Sequence, residues 1–209
     1  MTEKRYNLVA GQSRARLAAL SDGVFAVAMT LLVLDLHTPV ATAVHSEHDL
    51  LAALGEIAPR LLIYLASFMT LGIFWVGQQT QLNMIERSTR DLTWIHLGFL
   101  AGVTLMPFST ALMAEFIHLR IALLIYWANI LLLGLILFAS WRGAVACDLL
   151  GDIEPGLIRA VERRIVVAQS LYAVGAALCV ITPLLSLGVI VAIQLVYVIG
   201  PKTGPLSRI

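Results

Sequence analysis

Charged side chains are scarce in this chain and hydrophobic ones are abundant. Of its 209 residues, 13% are charged and 59% are hydrophobic, whereas average soluble domains have about 25% charged and about 45–50% apolar residues. A domain this small keeps much of its surface in contact with solvent, so its core cannot hold all of these apolar side chains. The surplus must face lipid, which indicates an integral membrane protein.

Features of several other protein classes are missing. The two cysteines, Cys147 and Cys179, have no CxxC spacing and predict neither a disulfide framework nor a zinc site. The net charge of +1 gives no field that attracts nucleic acid, so we expect no nucleic-acid partner. The sequence has no GxSxG, HExxH, P-loop or GxGxxG motif, so we expect that the protein is not an enzyme.

Six stretches qualify as membrane spans, each of which needs about 20 mostly apolar residues. They lie at roughly 18–36, 60–82, 93–114, 119–140, 164–183 and 185–200. Pro183 separates the last two, and Pro107 predicts a kink in the third, because proline has no backbone N–H to donate. With no internal repeat, the sequence predicts an all-α, six-helix membrane bundle that forms one domain over residues 1–209.

Lys and Arg are distributed unevenly about these spans. Twelve of the 14 fall on one side, namely Lys4, Arg5, Arg14, Arg16, Arg87, Arg90, Arg142, Arg159, Arg163, Arg164, Lys202 and Arg208. Cytoplasmic loops carry the excess of positive charge. The distribution therefore predicts a multi-pass protein of the cell membrane with both termini in the cytoplasm.

The connection at 37–59 has no Lys or Arg and is predicted to lie outside. Its segment HDLLAALGEI, at 48–57, is expected to form a short amphipathic helix on the membrane surface. The adjoining HSEHD, at 45–49, offers His45, Glu47, His48 and Asp49 as candidate metal ligands. A solvated polar loop is the favoured interpretation, and we expect no metal site there.

A serine and a carboxylate stand at the opening of the first span, RLAALSDGVFAVAMTLLVLDL. Arg16 precedes Asp22 by six residues, about 240° around a helix, so the two do not face each other. One interpretation is that each reaches a neighbouring helix or subunit. The other is that Ser21 or Asp22 caps a helix start while Arg16 contacts lipid headgroups.

A second polar group lies near the same membrane side, formed by Trp75, Gln78 and Gln79 of the second span and His96 of the third. Because unpaired polar groups are costly in lipid, a buried network of these residues with Asp22 is one expectation. Alternatively, Trp75 is an interfacial anchor and Gln79 contacts headgroups.

One face of the first span forms an aliphatic stripe at steps of three and four residues. It comprises Gly23, Val27, Thr30 or Leu31, and Leu34. Such a stripe could line a hydrophobic constriction of a channel, although packing against another helix is the commoner explanation. The Thr30 hydroxyl could equally bond to its own helix backbone.

These residues together resemble the transmembrane protein 175 family of potassium-permeable channels, in its single-repeat prokaryotic form. The family's Arg-x-x-x-Phe-Ser-Asp motif corresponds to Arg16, Leu20, Ser21 and Asp22. Further similarity lies at Tyr64, Ser67, Phe68, Gly72, Trp75, Pro107 and Phe108.

The resemblance implies a homotetrameric cation channel whose first helices line a central pore. It implies an apolar constriction at Val27, Leu31 and Leu34 with Thr30 as a polar layer. It also implies that a network ties the helices together behind the pore, for which the candidates are Arg16, Ser21, Asp22, Trp75 and His96. Potassium is then the permeant ion, no cofactor is needed, and the partners are further copies of the chain, membrane lipids and monovalent cations.

Five positions depart from the family pattern. Leu20 replaces the motif's Phe, Gln78 and Gln79 replace a His pair, and His96 replaces an Asn. Val27 is smaller than the expected Ile or Leu, which predicts a wider or leakier constriction. Two other functions stay open from the residues alone: a secondary transporter that uses Asp22 and His96 as proton relays, and a membrane scaffold that does not conduct.

Overall fold

The computed structural model describes residues 13–199, all-helical apart from short connections. The α-helices are α1 (Arg14–Leu31), α2 (Glu47–Met84), α3 (Arg90–Thr104), α4 (Met106–Glu115), α5 (Arg120–Ala146), α6 (Pro155–Ala177) and α7 (Pro183–Ile199). Short 3₁₀ helices continue α1 (Leu32–Asp35) and α6 (Leu178–Val180), and another lies at Ala41–Ala43. The predicted all-α class is confirmed.

Five helical stretches of the described chain are long and apolar enough to cross a membrane: Arg14–Asp35, Glu47–Met84, Arg90–Glu115, Arg120–Ala146 and Pro155–Val180. The helix α7 is apolar but shorter, at 17 residues, which corresponds to about 25 Å. The six predicted spans fall in these stretches and in α7, apart from residues at their margins. The chain is therefore a multi-pass membrane protein.

The start of α1 lies upstream of the serine–carboxylate pair. Ser13 is the N-cap, and its hydroxyl accepts a hydrogen bond from the Arg16 amide at 3.4 Å. Ser21 and Asp22 are thus two turns inside the helix, where the backbone amides already have helical partners. The interpretation of either residue as a helix cap is wrong.

The expected surface helix at 48–57 is instead the first part of α2. Ser46 caps this 38-residue helix by accepting from the Asp49 amide at 3.1 Å, and the helix continues through Pro59 into the second span. Pro59 removes one backbone donor but does not end the helix. The sequence predicted a surface helix at 48–57 and a separate span from residue 60, whereas the structure joins both in one helix.

The third span is interrupted near Pro107, as predicted. α3 ends at Thr104, Leu105 lies between the helices, and α4 begins at Met106. Pro107 has no N–H for the carbonyl four residues earlier, and its fixed φ suits the first turn of a new helix. The kink therefore follows directly from this proline.

Three chain segments meet on one side of the bundle. The Glu86 amide donates to the Leu149 carbonyl at 2.9 Å, which joins the α2–α3 and α5–α6 connections. The Arg14 guanidinium at the start of α1 donates to the Ile85 carbonyl at 2.6 Å. These contacts place the start of α1 and both connections on the same side, in agreement with the predicted topology. Lys4, Arg5, Lys202 and Arg208 lie outside the described residues.

The core lies where α3 and α5 pack together beneath α1 and α2. The ring of Phe99 on α3 lies 6.0 Å from that of Phe25 on α1 and 6.2 Å from that of Phe74 on α2, between centroids. A Cβ at Gly102 would lie 2.9 Å from Leu133 Cδ2 of α5, so glycine is what permits this close approach. Within residues 13–199, this packing holds α1 by one face, and Val27, Leu31 and Leu34 on the opposite face stay exposed.

A buried set of polar side chains crosses the apolar core between α2, α4, α5 and α7. Ser67 Oγ lies 2.8 Å from Thr110 Oγ1 and 3.2 Å from the Tyr126 hydroxyl. Gln194 Nε2 donates to Thr70 Oγ1 at 2.6 Å. Mutual hydrogen bonds let these groups occupy a region without water, where an unpaired polar group is costly.

Candidate functional site

The helix α1 presents two faces of different character. Leu17, Ser21, Phe25, Ala28 and Leu32 are buried against the core, at helical steps of four and three. The opposite face is free in the single chain: Val27 is 58%, Leu31 44% and Leu34 68% exposed. The predicted aliphatic stripe therefore points away from the subunit's own core.

The end of this exposed stripe is not regular α-helix. From Leu32 to Asp35 the chain is a 3₁₀ helix, in which residues three apart lie in line along the axis. Leu34 therefore lies one turn beyond Leu31, on the same side of the helix. Thr30 is exposed on the same side, and its hydroxyl donates to the Val27 carbonyl at 2.8 Å, which is the backbone bond anticipated as its alternative.

Asp22 accepts two hydrogen bonds from α2. Its Oδ1 accepts from Trp75 Nε1 at 2.8 Å and from Gln79 Nε2 at 2.6 Å. The two donors stand four residues apart on α2, so they lie on the same face of that helix. This Asp22 cluster, formed by Asp22, Trp75 and Gln79, connects α1 to α2.

Arg16 and Ser21 do not join the Asp22 cluster. The Ser21 hydroxyl is buried and donates to the Leu17 carbonyl at 2.9 Å, within its own helix. Arg16 is exposed, and within residues 13–199 its guanidinium has no hydrogen-bond or ion-pair partner. The residue that anchors the start of α1 by a side chain is Arg14, through the Ile85 carbonyl, a contact that the sequence does not predict.

His96 is fully buried and belongs to a different set of contacts. Its Nδ1 lies 3.3 Å from Gln78 Nε2, and its Nε2 lies 3.1 Å from Ser140 Oγ. This His96 cluster, formed by His96, Gln78 and Ser140, joins α2, α3 and α5. Sequence reasoning missed Ser140, because one serine in a long apolar helix carries no periodic signal.

The expected single network is therefore two separate clusters. No hydrogen bond or ion pair in the described part of the chain joins Asp22 to His96. Gln78 and Gln79 are adjacent in sequence but turn toward different helices. Each cluster ties helices together, and only the Asp22 cluster holds the helix with the exposed stripe.

The candidate metal ligands at 45–49 do not converge. Asp49 Oδ2 accepts from the His45 backbone amide at 3.1 Å, which closes the first turn before α2. Within residues 13–199, no group of three or more His, Cys, Asp or Glu residues is placed to hold a metal ion.

Comparison with known proteins identifies the family. A sequence model described as the endosomal/lysosomal potassium channel TMEM175 matches residues 16–107. These bounds begin at Arg16, near the start of α1, and include all of the Asp22 cluster. The potassium channel Cha6605_3372 of Chamaesiphon minutus is 31% identical over 179 residues, which cover 83% of this chain and 88% of that protein. The chain belongs to the TMEM175 family.

A solved structure extends the TMEM175 match to the fold. The crystal structure of a lysosomal potassium-selective channel TMEM175 homolog from Chamaesiphon minutus superposes with a TM-score of 0.78 and 28% identity. The superposition covers 89% of this chain and 96% of that one. The arrangement of α1 to α7, in which α3 and α4 together form the third span, is therefore the TMEM175 fold.

Other TMEM175 relatives match over shorter shares of their length. The potassium channel B446_29190 of Streptomyces collinus is 38% identical, over 49% of this chain and 48% of that protein. The Bos taurus relative, named as an endosomal/lysosomal proton channel TMEM175, is 38% identical over 44% of this chain and 21% of its own length. The named TMEM175 relatives are ion channels, and their names include both potassium and proton channels.

Proposed function

We propose that this chain is one subunit of a homotetrameric, potassium-permeable cation channel whose four α1 helices surround a central pore. Potassium would be the permeant ion, and the channel would need no cofactor. The observation that carries the proposal is the free face of α1, with Val27, Leu31 and Leu34 exposed on a helix whose other face is held by the core. The family names are consistent with this function.

In such a tetramer each exposed residue of α1 would recur four times about the axis. Rings of Leu31 and Leu34 would form an apolar constriction, which limits ion flow because a narrow hydrophobic passage loses its water. Val27 would form a wider ring nearer the start of α1, since its side chain is shorter. The Thr30 hydroxyl, bonded to the Val27 carbonyl, would add a polar layer between them.

We also infer the orientation. The α2–α3 and α5–α6 connections lie together, beside the start of α1. The excess of Arg near these connections would place this side in the cytoplasm of a cell membrane.

Flux through liposomes tests the proposal. Purified protein should carry potassium down its gradient, and Leu31→Ala should raise the rate by removing the apolar ring. Leu135→Ala on α5 is the matched control, because Leu135 is also exposed, at 56%, but lies on a different helix. The control should leave the rate unchanged.

Three outcomes would contradict the proposal. Liposomes that pass no more potassium than empty ones would exclude the channel. Equal rates for Leu31→Ala, Leu135→Ala and the unmodified protein would place the constriction elsewhere. Saturable flux that requires a proton gradient would instead support a transporter, although Asp22 and His96 are not joined as its relay would need.

A further inference from the structure

A large cavity opens between α2, α5, α6 and α7, and Met29 of α1 also lines it. Its volume is about 630 Å³, within the range of about 300–1,000 Å³ that is usual for small-molecule sites. Along α2 its wall runs from Phe68 to Gln81, about 20 Å of helix. The cavity therefore follows α2 over more than half of the predicted span at 60–82.

The two ends of this cavity differ in polarity. Phe68, Met69 and Gly72 line the end toward the middle of the membrane. Gln81 and Arg164 line the other end, on the side of the bundle that carries the basic connections. An apolar end at membrane depth and a polar end at headgroup depth match the shape of a lipid.

Several polar atoms in the cavity wall have no hydrogen-bond partner. They are Gln81 Oε1, Gln169 Oε1 and the Tyr197 hydroxyl, each of them buried and without a partner in the described part of the chain. Gln81 as a whole is only 1% exposed. A buried acceptor without a donor is costly, and these atoms make the wall polar at this end of the cavity.

Gln169 is held in this wall by the shape of α5. A Cβ at Gly134 would overlap the Gln169 amide nitrogen, so the side chain lies directly against the α5 backbone. Gly134 therefore leaves the space that the Gln169 amide occupies. The same packing fixes the unpartnered oxygen of Gln169 within the cavity wall.

Arg164 supplies a positive charge at the polar end. Its guanidinium carbon lies 5.6 Å from the centroid of the Tyr197 ring, an arrangement that orients the side chain. Across residues 13–199 the salt bridges are Arg60–Glu115 and Arg142–Glu162, so no carboxylate neutralises Arg164 there. A guanidinium in this setting favours a phosphate, whose oxygens it can bind in a bidentate way.

We propose that this cavity binds a membrane phospholipid with an anionic headgroup. The phosphate accepts from Arg164, and the headgroup lies at the end of the cavity where Gln81 and Gln169 are in the wall. One acyl chain lies along Phe68 and Gly72. Basic pockets between membrane helices on the cytoplasmic side are suited to such headgroups. Trp75, which donates to Asp22, also lines the cavity, so the lipid would contact the helix face that holds α1.

The test measures lipid binding to the purified full chain by native mass spectrometry, with phosphatidylglycerol and phosphatidylcholine of identical acyl chains as probes. Phosphatidylglycerol should bind at one molecule per subunit and more tightly than phosphatidylcholine. Arg164→Gln should weaken phosphatidylglycerol binding about tenfold, as expected for the loss of a charge-assisted hydrogen bond. Arg163→Gln is the matched control, because Arg163 is a neighbouring exposed arginine that does not line the cavity.

A second pair of variants tests whether the lipid occupies the cavity. Ala168 lines the cavity, so Ala168→Phe should displace the acyl chain and weaken binding of both lipids. Ala160→Phe places the same side chain at an exposed position of α6 outside the cavity and should change nothing. Thermal unfolding of each variant in detergent checks that the fold is retained.

Four results would overturn the proposal. Equal losses for Arg164→Gln and Arg163→Gln would indicate general attraction of anionic lipid to a basic surface. Equal binding of the two phospholipids would exclude recognition of the anion. Glycerol phosphate that competes as strongly as phosphatidylglycerol would show that only a free phosphate is bound. Unchanged binding in Ala168→Phe would exclude the acyl chain from the cavity.

Discussion

Two adjacent glutamines on α2 take part in two different polar clusters. Gln79 donates to the exposed Asp22 of α1, whereas Gln78 contacts the fully buried His96 of α3. Consecutive residues of a helix point about 100° apart, so one amide reaches the first helix and the other faces the core. The same residue type therefore serves two positions with different access to solvent.

The difference in burial separates the roles of the two clusters. Loss of a partner in the His96 cluster leaves polar atoms stranded in an apolar interior, which lowers the stability of the subunit. Asp22 is exposed, so a lost hydrogen bond there can be replaced by one to water. We infer that the His96 cluster stabilises the fold, while the Asp22 cluster sets the position of α1 and thereby of its exposed stripe.

The largest expected effect on stability is that of His96→Ala. The substitution leaves Gln78 and Ser140 without a partner and opens a cavity, so the free energy of unfolding should fall by about 3 kcal/mol. Thermal unfolding in detergent measures this loss. His118→Ala is the matched control, since His118 is exposed, and it should leave the unfolding temperature unchanged. Equal unfolding temperatures for the two variants would show that the His96 cluster does not stabilise the fold.

Asp22→Ala should have a smaller effect on stability and a larger one on α1. The change in free energy of unfolding should be about 1 kcal/mol, because exposed polar contacts contribute little. The Trp75 indole N–H should lose its acceptor, which shifts its resonance in an NMR spectrum of the ¹⁵N-tryptophan-labelled protein. His96→Ala should leave this resonance in place. A Trp75 resonance that moves in both variants, or in neither, would contradict the separation of the two clusters.

Much of the fold follows from the sequence because its signals are local. Runs of apolar residues predict the spans, and Pro107 and Pro183 locate a break and a helix start. The paired donors of Asp22 could not be derived in this way, since whether α1 and α2 meet at that register depends on packing of the whole bundle. The helix α2 shows the opposite limit, because local patterns predicted a surface helix at 48–57 apart from the span at 60–82, and the chain instead continues as one helix through Pro59.

The candidate site was predictable to a lesser degree. The stripe of Val27, Leu31 and Leu34 is visible in the periodicity, and the structure leaves it exposed. Membership of the Asp22 cluster is visible only in part. Trp75 and Gln79 were each assigned as readily to the membrane interface, and Arg16 and His96 were expected in the network but lie apart. Long polar side chains reach several neighbours, so their partners cannot be read from spacing.

Comparison of Gln78→Ala with Gln79→Ala tests the two clusters at adjacent positions. The substitution and the helix are the same, and only the burial differs. Gln78→Ala strands buried His96 and should reduce the free energy of unfolding by about 1–2 kcal/mol. Gln79→Ala leaves Asp22 with Trp75 as a donor and with access to water, so its reduction should be below about 0.5 kcal/mol. Chemical unfolding in mixed micelles gives both values, and the reverse order would contradict the assignment.

The smallest expected effect is that of Gln79→His, which introduces the residue type of the family's His pair. A histidine ring can donate an N–H to Asp22 from the same turn of α2, so the free energy of unfolding should stay within about 0.5 kcal/mol of the original value. Gln79→Leu is the control of similar size without a donor. If the Trp75 resonance is retained in Gln79→His and altered in Gln79→Leu, the position requires only a donor. If both variants alter it equally, the amide itself holds Asp22, and the departure of this chain from the family pattern changes how α1 is anchored.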